Sequence, residues 1–121
     1  MFKDFPLPNH AQAPKAAEAA HCAGEQGKYW EMHDRIFASQ QDMMVPTLKR
    51  YASALGLNSA AFDQCLDSGK FAAVIGEDMR LGEQLGVQST PTIYINGRAV
   101  IGAQPYDAFR SVIDEELARG K

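Results

Sequence analysis

The chain has 121 residues, 45% of them hydrophobic, and a formal charge of −3 with its lysines and arginines scattered rather than clustered. A chain of that length buries roughly two-thirds of its unfolded surface, enough for one core, and the dispersed basic residues argue against nucleic acid or anionic membrane as the main partner. No apolar run approaches the roughly 20 residues of a bilayer span, and Met1-Phe2-Lys3-Asp4 has neither the basic start nor the apolar core of a signal peptide.

In chain order, Phe2 to Leu7 reads as a short strand ended by Pro6 and Pro8, which cannot continue a ladder. A helix is expected over Ala13 to Gln26, with Pro14 tolerated in its first turn. Gly27 separates it from a second helix, about Lys28 to Gln40. Pro46 opens a third near Thr47 to Leu55, closed by Gly56, and Asn58 or Ser59 caps a fourth over Ala60 to Ser68. The longest helical pattern runs from Lys70 to Gly86, with Phe71, Val74, Ile75, Gly82 and Leu85 at three- and four-residue steps. Thr92 to Ile95 has strand composition, Asn96-Gly97 is a strong hairpin signal, and Arg98 to Ile101 supplies the return strand. A last helix over Tyr106 to Ala118 carries Phe109, Val112, Ile113 and Leu117. These stripes, with Trp30 and Tyr51, read as core packing against a sheet rather than as a cofactor box.

The chemistry-bearing residues are few. Cys22 and Cys65 are the only cysteines, too far apart in sequence for a Cys-x-x-Cys pair, and their residue pattern leaves open two buried thiols or a bridge between the first and fourth helices. His21 adjoins Cys22, but neighbouring helical residues point about 100° apart, and no carboxylate partner is evident. His10 and His33 add no zinc-ligand spacing, so no metal and no cofactor is expected. Asp114-Glu115-Glu116 reads as a solvated helix face.

Pro91 at the mouth of the hairpin, Gly102 at its end and the helix after Pro105 resemble the cis-proline loop, last hairpin and last helix of the thioredoxin fold. Phe2-Lys3-Asp4-Phe5-Pro6-Leu7, the Ala-rich stretch from Ala16 to Ala23, and Gly24-Glu25-Gln26-Gly27-Lys28-Tyr29-Trp30-Glu31-Met32-His33-Asp34 extend the likeness to the DsbA-like thiol-disulfide oxidoreductases. Tyr51-Ala52, Leu55-Gly56-Leu57 and Phe62 to Leu66 continue it in order. The resemblance implies an α/β thioredoxin-like fold with a helical insert over about 11–69, within a single domain spanning 1–121. It implies an extracytoplasmic home, periplasmic or equivalent, and that setting favours a structural disulfide between Cys22 and Cys65.

It also implies that Thr90 and Pro91, joined by a cis bond, offer backbone to an extended peptide or protein substrate. No Cys-x-x-Cys is present, so no catalytic residue is assigned and the family's exchange chemistry is not expected of this chain. The strand and helix that carry that motif are expected to precede Phe2, which makes this chain truncated ahead of its second core strand. In the family the lost strand lies between those matching Phe2–Leu7 and Thr92–Ile95, and its loss leaves unpaired backbone that invites a homodimer or larger assembly through Phe2–Leu7. Three functions follow: a fragment of an oxidoreductase, a non-catalytic peptide-binding module, or a glutathione-binding enzyme of the same fold.

Overall fold

A computed structural model describes residues 1–120. The chain forms two compact units, residues 1–81 and 82–121. The first holds α1 (Ala13–Gly24), α2 (Tyr29–Ala38), α3 (Val45–Ala54), α4 (Ser59–Ser68) and most of α5 (Ala72–Gln84). The second holds β1 (Thr92–Ile95), β2 (Arg98–Ile101) and α6 (Tyr106–Arg119).

Local chemistry sets the helix ends. Pro14 and Pro46 stand in the first turns of α1 and α3, where a missing N–H costs nothing. Asp42 prepares the start of α3, accepting the Met44 backbone N–H at 3.0 Å and the Thr47 hydroxyl at 2.7 Å. These hydrogen bonds, the Thr47 one first, hold its carboxyl below the usual range. The Asn58 side chain accepts the Ala61 N–H at 3.0 Å and caps α4, which ends on Gly69 in the left-handed region at φ +67°. Gln26 and Asn58 exchange reciprocal bonds, the Gln26 side chain taking the Asn58 N–H at 2.8 Å and giving to its carbonyl at 3.3 Å.

The core of the first unit is helical. Ala16, Ala19, Ala20 and Ala23 line the buried face of α1, and their small side chains let α2, α3 and α4 pack against it. Met32, Leu48, Phe62 and Leu66 fill the space between, fully buried. Glu18, though buried, is satisfied by the Lys15 ammonium at 3.1 Å, which also donates to the Leu66 carbonyl at 2.7 Å.

In the second unit β1 and β2 form an antiparallel hairpin with Thr92 opposite Ile101 and Tyr94 opposite Ala99. Asn96 and Gly97 both take positive φ, +50° and +83°, as a type I′ turn demands. α6 packs against β1, and Arg98 reaches it to donate to Glu115 at 2.7 Å and Glu116 at 3.3 Å.

Four expectations change. Phe2–Leu7 is not a strand: among the described residues the sheet has two strands, none of them a neighbour for this segment. Side chains hold it instead, the Asp4 N–H donating to Asp78 at 3.0 Å. Trp30 is 55% exposed and meets Phe2, Tyr29 and His33 edge-on rather than entering the core, whereas Tyr51 is buried as expected. The long stripes are only thinly covered: Ile75 is the one buried residue of α5, α6 buries none, and Val74, Leu85, Ile113 and Leu117 are exposed. The acidic run is not uniformly solvated, because Arg98 and Arg119 grip Glu116, whose side chain is only 9% exposed.

Candidate functional site

The loop after α5 is built on backbone hydrogen bonds. Gly86 and Val87 return their N–H groups to Glu83 at 3.0 Å and Gly82 at 2.9 Å, closing the helix. The Thr92 hydroxyl donates to the Ser89 carbonyl at 2.7 Å, and the Gly102 N–H donates to the Pro91 carbonyl at 2.8 Å. Between these ties the Thr90–Pro91 peptide bond is cis. The backbone N–H groups of Gln88, Ser89 and Thr90 have no acceptor among the described residues, and one edge of β1 is unpaired. Such groups, when exposed, are free to meet another backbone.

Beside this loop lies a cavity of about 220 Å³, lined by Leu85, Val87, Thr92, Tyr94, Ala99 and Ile101. Strand alternation explains it: Thr92 and Tyr94 point to the same face of the hairpin as their partners Ile101 and Ala99. The Tyr94 hydroxyl donates to the Leu85 carbonyl at 3.2 Å.

Cys22 and Cys65 lie in the first unit and are joined by a disulfide, with their Cα atoms 5.9 Å apart. Both sulfur-bearing residues are buried, at 1% and 6% exposure, where α1 meets α4. With both thiols consumed there is no thiolate for His21 to assist.

His21 nevertheless has the carboxylate partner that the sequence did not disclose. Its Nε2 lies 2.7 Å from Asp4 Oδ2, and its ring stacks on Phe71 and meets Tyr29 edge-on. Asp78 completes the group, accepting the Asp4 N–H and lying 3.5 Å from the Lys3 ammonium. Burial, then the charges of Asp4 and Asp78, push the Tyr29 phenol up to about 12. This network anchors residues 3 and 4 and presents no nucleophile. His33 stacks on Phe37 with ring centroids 4.2 Å apart and bonds Asp34 at 3.0 Å. Among the described residues no three His, Cys, Asp or Glu side chains gather as metal ligands, and no helix is long and apolar enough to cross a membrane.

The fold and the chain both have known counterparts. A thioredoxin-like oxidoreductase from Silicibacter pomeroyi superposes with a TM-score of 0.82 over 98% of this chain and 67% of its own, at 24% identity, a likeness of fold. Two Na(+)/H(+) antiporters, NhaA 3 of Salinispora tropica and NhaA of Herminiimonas arsenicoxydans, are each 34% identical, over 100% and 84% of this chain. The chain spans only 19% and 16% of those relatives' lengths, less than a fifth of either. The Thioredoxin family model matches residues 1–115. That match places the chain in the thioredoxin family, with a thioredoxin-like fold.

Proposed function

We propose that this chain supplies the peptide-docking part of a DsbA-like oxidoreductase and does not itself exchange thiols and disulfides. The observation that carries the reading is the Cys22–Cys65 bridge: the only two cysteines are bonded to each other and buried, so no thiolate is left to attack a substrate disulfide. The unbonded N–H groups of Gln88, Ser89 and Thr90 support the docking role, with Thr90 and Pro91 as the substrate-binding pair. In an insulin-reduction or oxidative-refolding assay the purified chain should give no turnover above that of a Cys22→Ser, Cys65→Ser double variant. Turnover above that control would make one of these sulfurs a working nucleophile and overturn the reading.

Residues 1–121 are read as one such domain, with 11–69 as its helical insert. The Na(+)/H(+) antiporter relatives favour a second setting, in which a domain of this kind serves as an accessory part of a longer membrane protein. Self-association through residues 2–7, which lie outside the two-stranded sheet and so leave backbone free for another chain, is a further part of this proposal. Light scattering at micromolar concentration should then show a dimer or larger species, and a 13.2 kDa particle would exclude it.

A further inference from the structure

We propose that residues 2–4 form a strap whose hold on the helical unit tightens when His21 and His33 take up protons. Two of the chain's three histidines meet this short stretch, one at each end. Phe2 meets the His33 ring edge-on with centroids 5.1 Å apart, and His33 also has Phe37 stacked on it at 4.2 Å and Trp30 edge-on at 5.2 Å. Asp4, only 8% exposed, places its carboxylate 2.7 Å from His21 Nε2. Between them the Lys3 ammonium lies 3.5 Å from Asp78, whose carboxylate also accepts the Asp4 N–H at 3.0 Å.

Both contacts gain from a proton, for different reasons. Neutral His21 donates one N–H to Asp4, and the imidazolium keeps that bond and adds a charge to it. Its surroundings favour that charge: Asp4 and Asp78 bring two carboxylates against the single ammonium of Lys3, while Tyr29, its phenol pushed up to about 12, stays neutral. Lys70, 5.7 Å from the Phe71 ring on which His21 stacks, is paired with Glu25. His33 bonds Asp34 at 3.0 Å on its own helix, where Lys28 and Glu31 pair with each other at 3.5 Å. Once protonated, His33 lies within the roughly 6 Å at which a cation is drawn to an aromatic ring, and Phe2, Trp30 and Phe37 all meet it there. Histidine is the side chain that changes charge between about pH 5 and 8, so the strap is held in mild acid and loosened in mild alkali. Residues 2–7 are the segment proposed above to meet a second copy, but the strap does not depend on that association.

A contact that a proton strengthens must, when removed, weaken proton binding, and that reciprocity supplies the test. In the full chain with 13C-labelled histidine, the imidazole Cε1–H resonances follow each ring from about pH 5 to 8. Phe2→Leu should weaken proton binding at His33 about two- to fivefold, the range of one exposed cation–π contact. Asp4→Asn should weaken it at His21 by at least about fivefold, the upper range for an exposed ion pair. The exposed His10 should be unaffected in both variants. In the unaltered chain the 15N heteronuclear NOE of the Asp4 amide, shielded from exchange by its bond to Asp78, should be lower at pH 8 than at pH 5. An equal NOE at the two pH values would overturn the strap, whether or not the variants fold. Unchanged proton binding at His33 in Phe2→Leu and at His21 in Asp4→Asn would overturn it as well.

Discussion

Phe62→Ala should lower the unfolding free energy by about 3–5 kcal/mol, a large fraction of the roughly 5–15 kcal/mol that a domain possesses. Phe62 is the largest side chain with no exposed surface, and it lies on α4 within the cluster that joins α1, α3 and α4. Its removal forfeits the transfer energy of the ring and leaves a void that helices tied at both ends cannot collapse to fill. Gln26 and Asn58 hold the start of α4, and the disulfide holds its last turns. Urea denaturation followed by far-ultraviolet circular dichroism measures the change. Phe37→Ala is the control: that ring is 59% exposed, and its loss should shift the midpoint far less. A loss at Phe62 below about 1 kcal/mol would mean that the helical unit repacks and that α4 is not fixed as described.

Replacing both Cys22 and Cys65 with alanine should cost about 2–4 kcal/mol. The bridge spans a sequence separation of 43 residues, and the chain-entropy account assigns a loop of that length about 4 kcal/mol, chiefly by constraining the unfolded chain. Alanine suits the site sterically, since the cysteines are buried among Ala19, Ala23 and Leu66 and a polar hydroxyl there would need a partner. The expected result is a lower denaturation midpoint for the double variant, matched by the native sequence when dithiothreitol is present throughout the transition. Identical midpoints for native protein with and without reductant would show that the bridge contributes nothing to stability.

The parts of the structure legible in the sequence are those determined by neighbours in the chain. Asn96-Gly97 requires a type I′ turn whatever surrounds it, so the hairpin and its register follow from a few residues. Pro14, Pro46, Asn58 and Gly69 mark helix ends through their own backbone preferences. Phe2–Leu7 shows the opposite case: its composition suits a strand, but a strand exists only by pairing, and that depends on what lies beside it. Trp30 has the spacing of a core residue, yet its place was decided by Phe2 and His33, which gather it into an exposed aromatic group. Asp4 and His21 are 17 residues apart, and no local pattern reveals that a carboxylate in an extended segment will meet an imidazole on α1. In the candidate site, the cis bond between Thr90 and Pro91 was legible through a family likeness. The neighbouring cavity was not, because it needs Leu85 and Val87 to come against a hairpin face that only the folded register defines.

The alanines of α1 set a limit on how this protein can vary. A surface alanine accepts nearly any residue, but Ala19 and Ala23 have no exposed surface and sit where neighbouring helices close against α1. At the last residue of α1, a Cβ at Gly24 would stand 3.3 Å from the Tyr29 Cβ, so even that smallest addition forces a neighbour to give way. Enlargement anywhere along this face drives helices apart and loosens every contact they share, including the one that brings Cys22 to Cys65. The plainest stretch of the sequence thus tolerates the fewest side chains, whereas exposed positions such as Trp30 and Phe37 on α2 and Val74 and Leu81 on α5 can change size without displacing a helix axis.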